Sequence, residues 1–269
     1  MEKRDYVGSF IYSFKSLKEN PILYVPDLIF FIGTALLSLL FLHFNGLTSI
    51  FHGFSGFNSQ IKNIASNGSL LWRMIFSLLI LLALNLILGW GTVTGRFTMI
   101  KLLIDKKKFT LKSVAKYDTK YLLPVLGLKA VFFLIYVIPA LVLLGLGLLF
   151  NQLFFILLLM FLFYLIVTRF VFLFSYSILF FDDVKNPFKV IDRAVHYFKE
   201  NKLHAIVVGL LAAVITGIVT LVLESLPTIW GNFGIQLSIT FSIIYLIIKT
   251  LIEISFGLWS AIFVFKNYN

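Results

Sequence analysis

Six apolar runs dominate the chain: Ile22–Phe44, Leu70–Val93, Leu122–Leu149, Leu153–Phe181, Leu203–Leu226 and Ile235–Phe265. Each exceeds the roughly 20 residues that a helix needs to cross the hydrocarbon of a bilayer. The pattern predicts an all-α integral membrane bundle of six transmembrane helices in one domain, 1–269. Spans three and four are joined by Phe150, Asn151 and Gln152 alone, which predicts a tight hairpin. Spans five and six are joined by a short loop with Pro227, Gly231 and Gly234. The longer link Asn45–Ser69 is rich in Gly, Ser and Asn but also holds Ile50, Phe51, Phe54, Phe57, Ile61 and Ile64, so part of it is expected on the membrane surface.

Polar segments on the other side keep a helical period. "NPFKVIDRAVHYFKEN" opens with Asn186 as N-cap and Pro187 at the first helical position. Phe188, Ile191, Val195 and Phe198 then share one face, the signature of an amphipathic helix lying in the interface. Near the N-terminus Tyr6, Phe10, Phe14 and Leu17 form a similar stripe, and "LKEN" there matches "FKEN" at 198–201. A weaker copy is "TLKSVAKYDTKYLLP", capped by Thr110, with Leu111, Val114 and Tyr121 as its apolar contacts. The chain therefore reads as three pseudo-repeats, about 1–96, 109–181 and 186–266, each an interfacial helix followed by a hairpin. Mitochondrial carriers also have three two-span units, but "PDLIFF" and "PVLGLK" lack their Pro-x-acid-x-x-base signature, and here the surface helix precedes the hairpin.

Composition agrees with a lipid environment. Hydrophobic residues make up 60% and charged residues 13%, against roughly 45–50% and 25% in soluble domains. The net charge of +11 would suggest nucleic acid on a soluble protein, yet the basic residues flank the spans. Eighteen Lys and Arg lie on the side of the termini and only Lys62 and Arg73 on the other. The positive-inside rule then predicts a multi-pass protein of the cell membrane with both termini cytoplasmic and no nucleic-acid partner. Cysteine is absent, which excludes disulfides and thiolate chemistry.

Candidate chemistry is confined to charges inside the spans: Asp27, Lys129, Arg169, Lys249 and Glu253. Asp27 and Lys129 are shallow enough to snorkel. Arg169 and Glu253 lie at matching depths on spans of opposite direction, so a direct pair is expected, with Lys249 one turn from Glu253. Two readings stay open. The pair fixes which helices pack together, or three cations against two carboxylates build a cavity for an anionic headgroup or small anion. No metal or cofactor site and no catalytic residue is assigned. His43, His52, His196 and His204 form no ligand cluster, and Asp182–Asp183 reads as a cap on the end of span four at the water boundary. "GWGTVTGRF" at 89–97 lacks the strand–turn–helix context of a phosphate loop, so Gly91 and Gly95 are read as a close helix contact.

Arg169, Tyr176, Asp182–Asp183, "NPFKVIDRAVHYFKENKL" and the Gly/Ala-bearing span after it occur in an order that resembles a broad prokaryotic group of six-span membrane proteins. The opening "SFKSLKENPILYVPDLIFF" fits the same pattern. That group includes the membrane domain fused to some glycerophosphodiester phosphodiesterases. The phosphodiesterase barrel of such fusions is a separate soluble domain, so the resemblance implies the fold and almost no chemistry. The expected role is that of a non-enzymatic scaffold or assembly factor, with lipids, anionic ones among them, and other membrane proteins as partners. The alternative is a small transporter or channel built on a cavity around Arg169, Lys249 and Glu253.

Overall fold

The computed structural model describes residues 5–47, 67–107, 110–149, 154–232 and 239–269. Helix makes up 91% of them, and no strand occurs among the described residues. The order is α1 (Tyr6–Glu19), a 3-10 turn (Pro21–Tyr24), α2 (Val25–Phe44), α3 (Gly68–Ile104), α4 (Leu111–Leu149), α5 (Phe154–Val171), α6 (Ser175–Phe181), α7 (Pro187–Glu200), α8 (Lys202–Asn232) and α9 (Ile239–Tyr268). Among the described residues six segments are long and apolar enough to cross a membrane: Pro21–Phe44, Gly68–Ile104, Thr119–Gly147, Phe155–Phe181, Lys202–Trp230 and Phe241–Tyr268. The chain is a polytopic all-helical protein. The second span continues as helix 11 residues beyond the predicted Val93, and α8 runs through Pro227 to Asn232. The expected hairpin at 150–152 and the surface aromatics from Ile50 to Ile64 fall outside the described residues.

The chain divides into two compact units, Met1–Tyr24 with Thr94–Asn269, and Val25–Val93. The smaller unit is an antiparallel pair made by α2 and the first part of α3. Thr34 donates to the Asn85 side chain at 2.8 Å, and Asn45 Nδ2 donates to Ser77 Oγ at 2.8 Å. A Cβ on Gly33 would stand 2.5 Å from Leu88, so glycine sets how closely the two helices approach. Of Gly91 and Gly95, read together as a close helix contact, Gly91 makes none: a Cβ there would meet nothing within 4 Å.

In the larger unit α4 pairs with α5, where the Tyr164 hydroxyl donates to the Ile135 carbonyl at 2.8 Å. Likewise α8 pairs with α9, where Trp230 meets Phe241 and Tyr245 at ring distances of 5.4 and 5.3 Å. The pairs join near the end that carries α1 and the C-terminal residues, called here the basic end. Phe170 and Leu173 lie on Gly209 of α8, whose Cβ would be 2.6 Å from the Phe170 ring. A layer of packed rings follows: Phe97 stacks on Tyr176 at 4.5 Å and on Phe265 at 5.2 Å, and Tyr121 meets Phe180 at 4.4 Å. Away from this layer the large apolar side chains of α4, α5, α8 and α9 are exposed.

The predicted N-cap of α7 forms. Asn186 Oδ1 accepts from Phe188 N at 2.9 Å and Lys189 N at 3.4 Å at the start of α7. The repeated "KEN" closes α1 and α7 in the same way: Asn20 Nδ2 donates to the Ser16 carbonyl at 3.0 Å and Asn201 Nδ2 to the Tyr197 carbonyl at 3.2 Å. The third amphipathic stretch is the opening of α4, which continues unbroken into the span. On α7 the side turned to the protein is Val190 and Ala194, both buried, while Phe188 is exposed and Ile191, Val195 and Phe198 are half-buried. The predicted stripe therefore flanks the packed side. Lipid tails are as apolar as leucine, so periodicity cannot separate a lipid-facing stripe from a protein-facing one.

Candidate functional site

Arg169 stands two residues before the end of α5. The large exposed apolar side chains of α5 run from Phe155 to Val167 and stop there. Beyond Arg169 the backbone turns at Phe172–Phe174, where Leu173 N bonds the Phe170 carbonyl at 3.4 Å and Ser175 N the Phe172 carbonyl at 3.1 Å. The chain then enters α6, whose Ser175, Ser177, Ile178, Leu179 and Phe180 are buried. No proline or glycine marks this break. Its cause is packing: Phe174 is buried between His204, at 5.6 Å, and Tyr197, at 5.0 Å. Thr168 also turns its hydroxyl back to the Tyr164 carbonyl at 2.8 Å, a bond that bends helices.

Arg169 is exposed and lines a recess of about 600 Å³ with Tyr136, Leu162, Leu165 and Ile166. Among the described residues it forms no ion pair. Arg96 lies within electrostatic range of Lys129 and of Tyr176, and Tyr136 is within range of Tyr176 as well. Two further cations thus stand on the neighbouring helices α3 and α4. Neither membrane segment that forms the recess, Thr119–Gly147 or Phe155–Phe181, contains an acidic residue.

The other predicted charges go elsewhere. Glu253 meets Lys249 at 3.7 Å, and Lys249 also lies 4.0 Å from Glu224. The expected Arg169–Glu253 pair is not formed among the described residues, and neither Lys249 nor Glu253 lines the recess at Arg169. Equal depth puts two charges at one level in the bilayer and says nothing about which helices are neighbours. Asp27 belongs to the smaller unit, in the first turn of α2, where a carboxylate suits the helix dipole.

No family model, curated protein or solved structure matches this chain.

Polar groups at the basic end hold helices together. Lys101 Nζ donates to the Tyr121 hydroxyl at 3.1 Å and to the Phe180 carbonyl. Asp182 takes Arg193 at 3.2 Å and the Tyr268 hydroxyl at 3.0 Å, which ties α6 to α7 and α9. Asp183, at φ +54°, takes Lys120 of α4 at 2.7 Å. Asp182 is also the C-cap of α6, its N–H donating to the Ile178 carbonyl at 3.1 Å, and both carboxylates go further and tie the end of span four to neighbouring helices. Among the described residues no group of three or more His, Asp and Glu could hold a metal ion.

Burial alone would push the Asp183 carboxyl up, but hydrogen bonds from Lys120 and Tyr121 and the charges of Lys120 and Lys101 outweigh it and hold the carboxyl below its ordinary value. A depressed carboxylate contributes stability above the unfolded value, about 3.9, and loses it as pH falls through the folded value. Asp183→Asn is therefore expected to lower stability at pH 7 by roughly 0.2–1 kcal/mol, because both partners stay partly solvated. Thermal unfolding across pH checks this: the gap between wild type and variant should close as pH drops below about 4. A gap that persists to low pH would remove the ion pair from the account.

Glu224, Arg96 and Tyr136 are the site residues that sequence reasoning missed. Glu224 sits within the fifth predicted span and is readable by charge alone. Arg96 lies just past a predicted boundary, and Tyr136 looks like an ordinary apolar position until its neighbours are known.

Proposed function

We propose that this chain is a non-enzymatic scaffold or assembly factor of the cell membrane, with both termini cytoplasmic and with lipids and other membrane proteins as partners. One observation supports the reading: the helix pairs of the larger unit pack at the basic end and leave their opposite halves apolar and open. Leu141 and Val142 of α4, Leu159 and Phe163 of α5, and Ile218 and Leu221 of α8 are each at least half exposed. The driving force for helix association in lipid is close packing and not burial of oil, so an open half accepts another helix at little cost in displaced lipid. The basic end carries the excess of Lys and Arg, which favours the cytoplasmic, anionic leaflet.

Site-specific photo-crosslinking in the native membrane tests the reading. A photoreactive residue at Leu159 or Leu141 is expected to give discrete adducts with other membrane proteins, and the same residue at buried Phe180 to give none. Lipid adducts alone at the open positions would end the scaffold reading.

A further inference from the structure

We propose that the recess between α4 and α5 binds the phosphate of an anionic membrane phospholipid, held by the Arg169 guanidinium and the Tyr136 hydroxyl. This deepens the lipid-contacting part of the function proposed above and rests on it.

Three observations carry the assignment. The first is position. On the described part of α5 the lipid-exposed stretch, Phe155–Val167, spans about 18 Å at 1.5 Å per residue. Arg169 is the next exposed residue; past it Phe170–Leu173 are half-buried, and Ser175 and Ser177–Phe180 of α6 are buried. The lipid-exposed face of α5 ends at that residue. The second is unused donor capacity. Arg169 presents five N–H donors and no ion pair or hydrogen bond to it forms among the described residues. The Tyr136 hydroxyl, half-buried on the opposite wall, likewise has no hydrogen bond among them, although its ring packs 6.4 Å from Phe132. The third is the character of the recess. Leu162, Leu165 and Ile166 supply apolar wall beside one cation and one phenol, in about 600 Å³. That combination matches an amphiphile, a phosphate joined to the start of its acyl chains, better than a free anion.

Charge fixes the sign of the ligand. The two segments that form the recess carry no carboxylate, and two further cations, Lys129 of α4 and Arg96 of α3, lie within range of each other. An uncompensated guanidinium at the lipid boundary is costly, and a phosphate offers it two oxygens in the geometry of its fork. The surrounding leaflet is the nearest source. Lysine at position 169 would keep the charge and lose the fork.

The test uses the purified full chain in nanodiscs of phosphatidylcholine doped with phosphatidylglycerol, with native mass spectrometry counting retained lipid and thermal unfolding as a second readout. Wild type is expected to retain phosphatidylglycerol over phosphatidylcholine and to melt higher as its fraction rises. Arg169→Gln should weaken retention about 10-fold, the equivalent of one charge-assisted hydrogen-bonded contact. Arg169→Lys and Tyr136→Phe should each weaken it several-fold (about 3-fold or more), so the proposal stays testable if the glutamine variant folds poorly. Lys189→Gln, an exposed lysine on α7, should leave retention unchanged. Equal retention in the Arg169 and Tyr136 variants overturns the site. So does an equal loss in Lys189→Gln, which would mean diffuse surface attraction, and so does displacement by millimolar inorganic phosphate, which would mean a small-anion site. Loss of the site with protein adducts at Leu159 intact would leave the scaffold reading standing.

Discussion

Replacing Trp259 with alanine is expected to cost the larger unit about 3–5 kcal/mol, the range for truncating a large buried aromatic side chain. Trp259 is fully buried on α9. Phe10 meets it edge-on at 5.2 Å, Phe14 stacks on it at 5.3 Å, and Phe263 stacks from its own helix at 5.4 Å. Two of these three rings belong to α1, whose Val7 and Ile11 are exposed and whose Leu17 is buried. The indole is therefore, with Leu17, an apolar hold that the bundle has on its N-terminal helix. Removal should free α1 first, seen as faster tryptic cleavage at Lys15 and Lys18 at temperatures where the spans stay folded. Trp259→Phe separates ring packing from hydrogen bonding. The indole N–H has no hydrogen-bond partner among the described residues, so phenylalanine loses contact area but also relieves a buried donor. That variant should stay within about 1.5 kcal/mol of wild type. An alanine variant that melts with wild type would show that α1 is held elsewhere.

What the sequence made legible follows from the length scale of each signal. Six spans could be read because hydropathy averages over about 20 residues, a window that survives a few misplaced side chains. The caps of α7 could be read because Asn186 and Pro187 act locally. The continuation of α3 to Ile104 could not, since "TGRFTMIKLLI" is too polar for lipid and is helical because Phe97, Met99 and Ile100 are buried in protein. The break at Phe172–Phe174 escaped notice for a related reason: tertiary packing of Phe174 drives it, with no breaker residue. Arg169 and Glu253 were matched by depth, one coordinate of three. Angular position around each helix decides contact, and it gives Glu253 to Lys249 and Arg169 to the recess with Tyr136.

The second large effect is expected at His204, a residue that sequence alone leaves looking like an ordinary interfacial histidine. The ring is buried, at 4% exposure, with polar partners on both nitrogens. Nε2 lies 3.0 Å from the Asn267 carbonyl, and a carbonyl can only accept, so Nε2 carries the proton. In the neutral ring Nδ1 then accepts from the Tyr6 hydroxyl at 3.0 Å. Phe174 stacks on the imidazole at an interplanar angle of 7°, and Tyr6 stacks at 5.6 Å. One side chain thereby joins α1, the break after α5, α8 and the C-terminal end of α9. Leucine of similar volume would keep the apolar contact and strand the Tyr6 hydroxyl and the Asn267 carbonyl, each at about 1–3 kcal/mol if no water reaches it. His204→Leu is expected to lose roughly 2–4 kcal/mol on those grounds, whereas Tyr6→Phe in the His204→Leu background should recover part of it by removing one stranded group. That recovery is the discriminating measurement, because a cavity or a clash at position 204 would not be relieved by deleting an oxygen on α1. If the double variant is no more stable than His204→Leu alone, the hydrogen bond to Tyr6 is not what the histidine supplies.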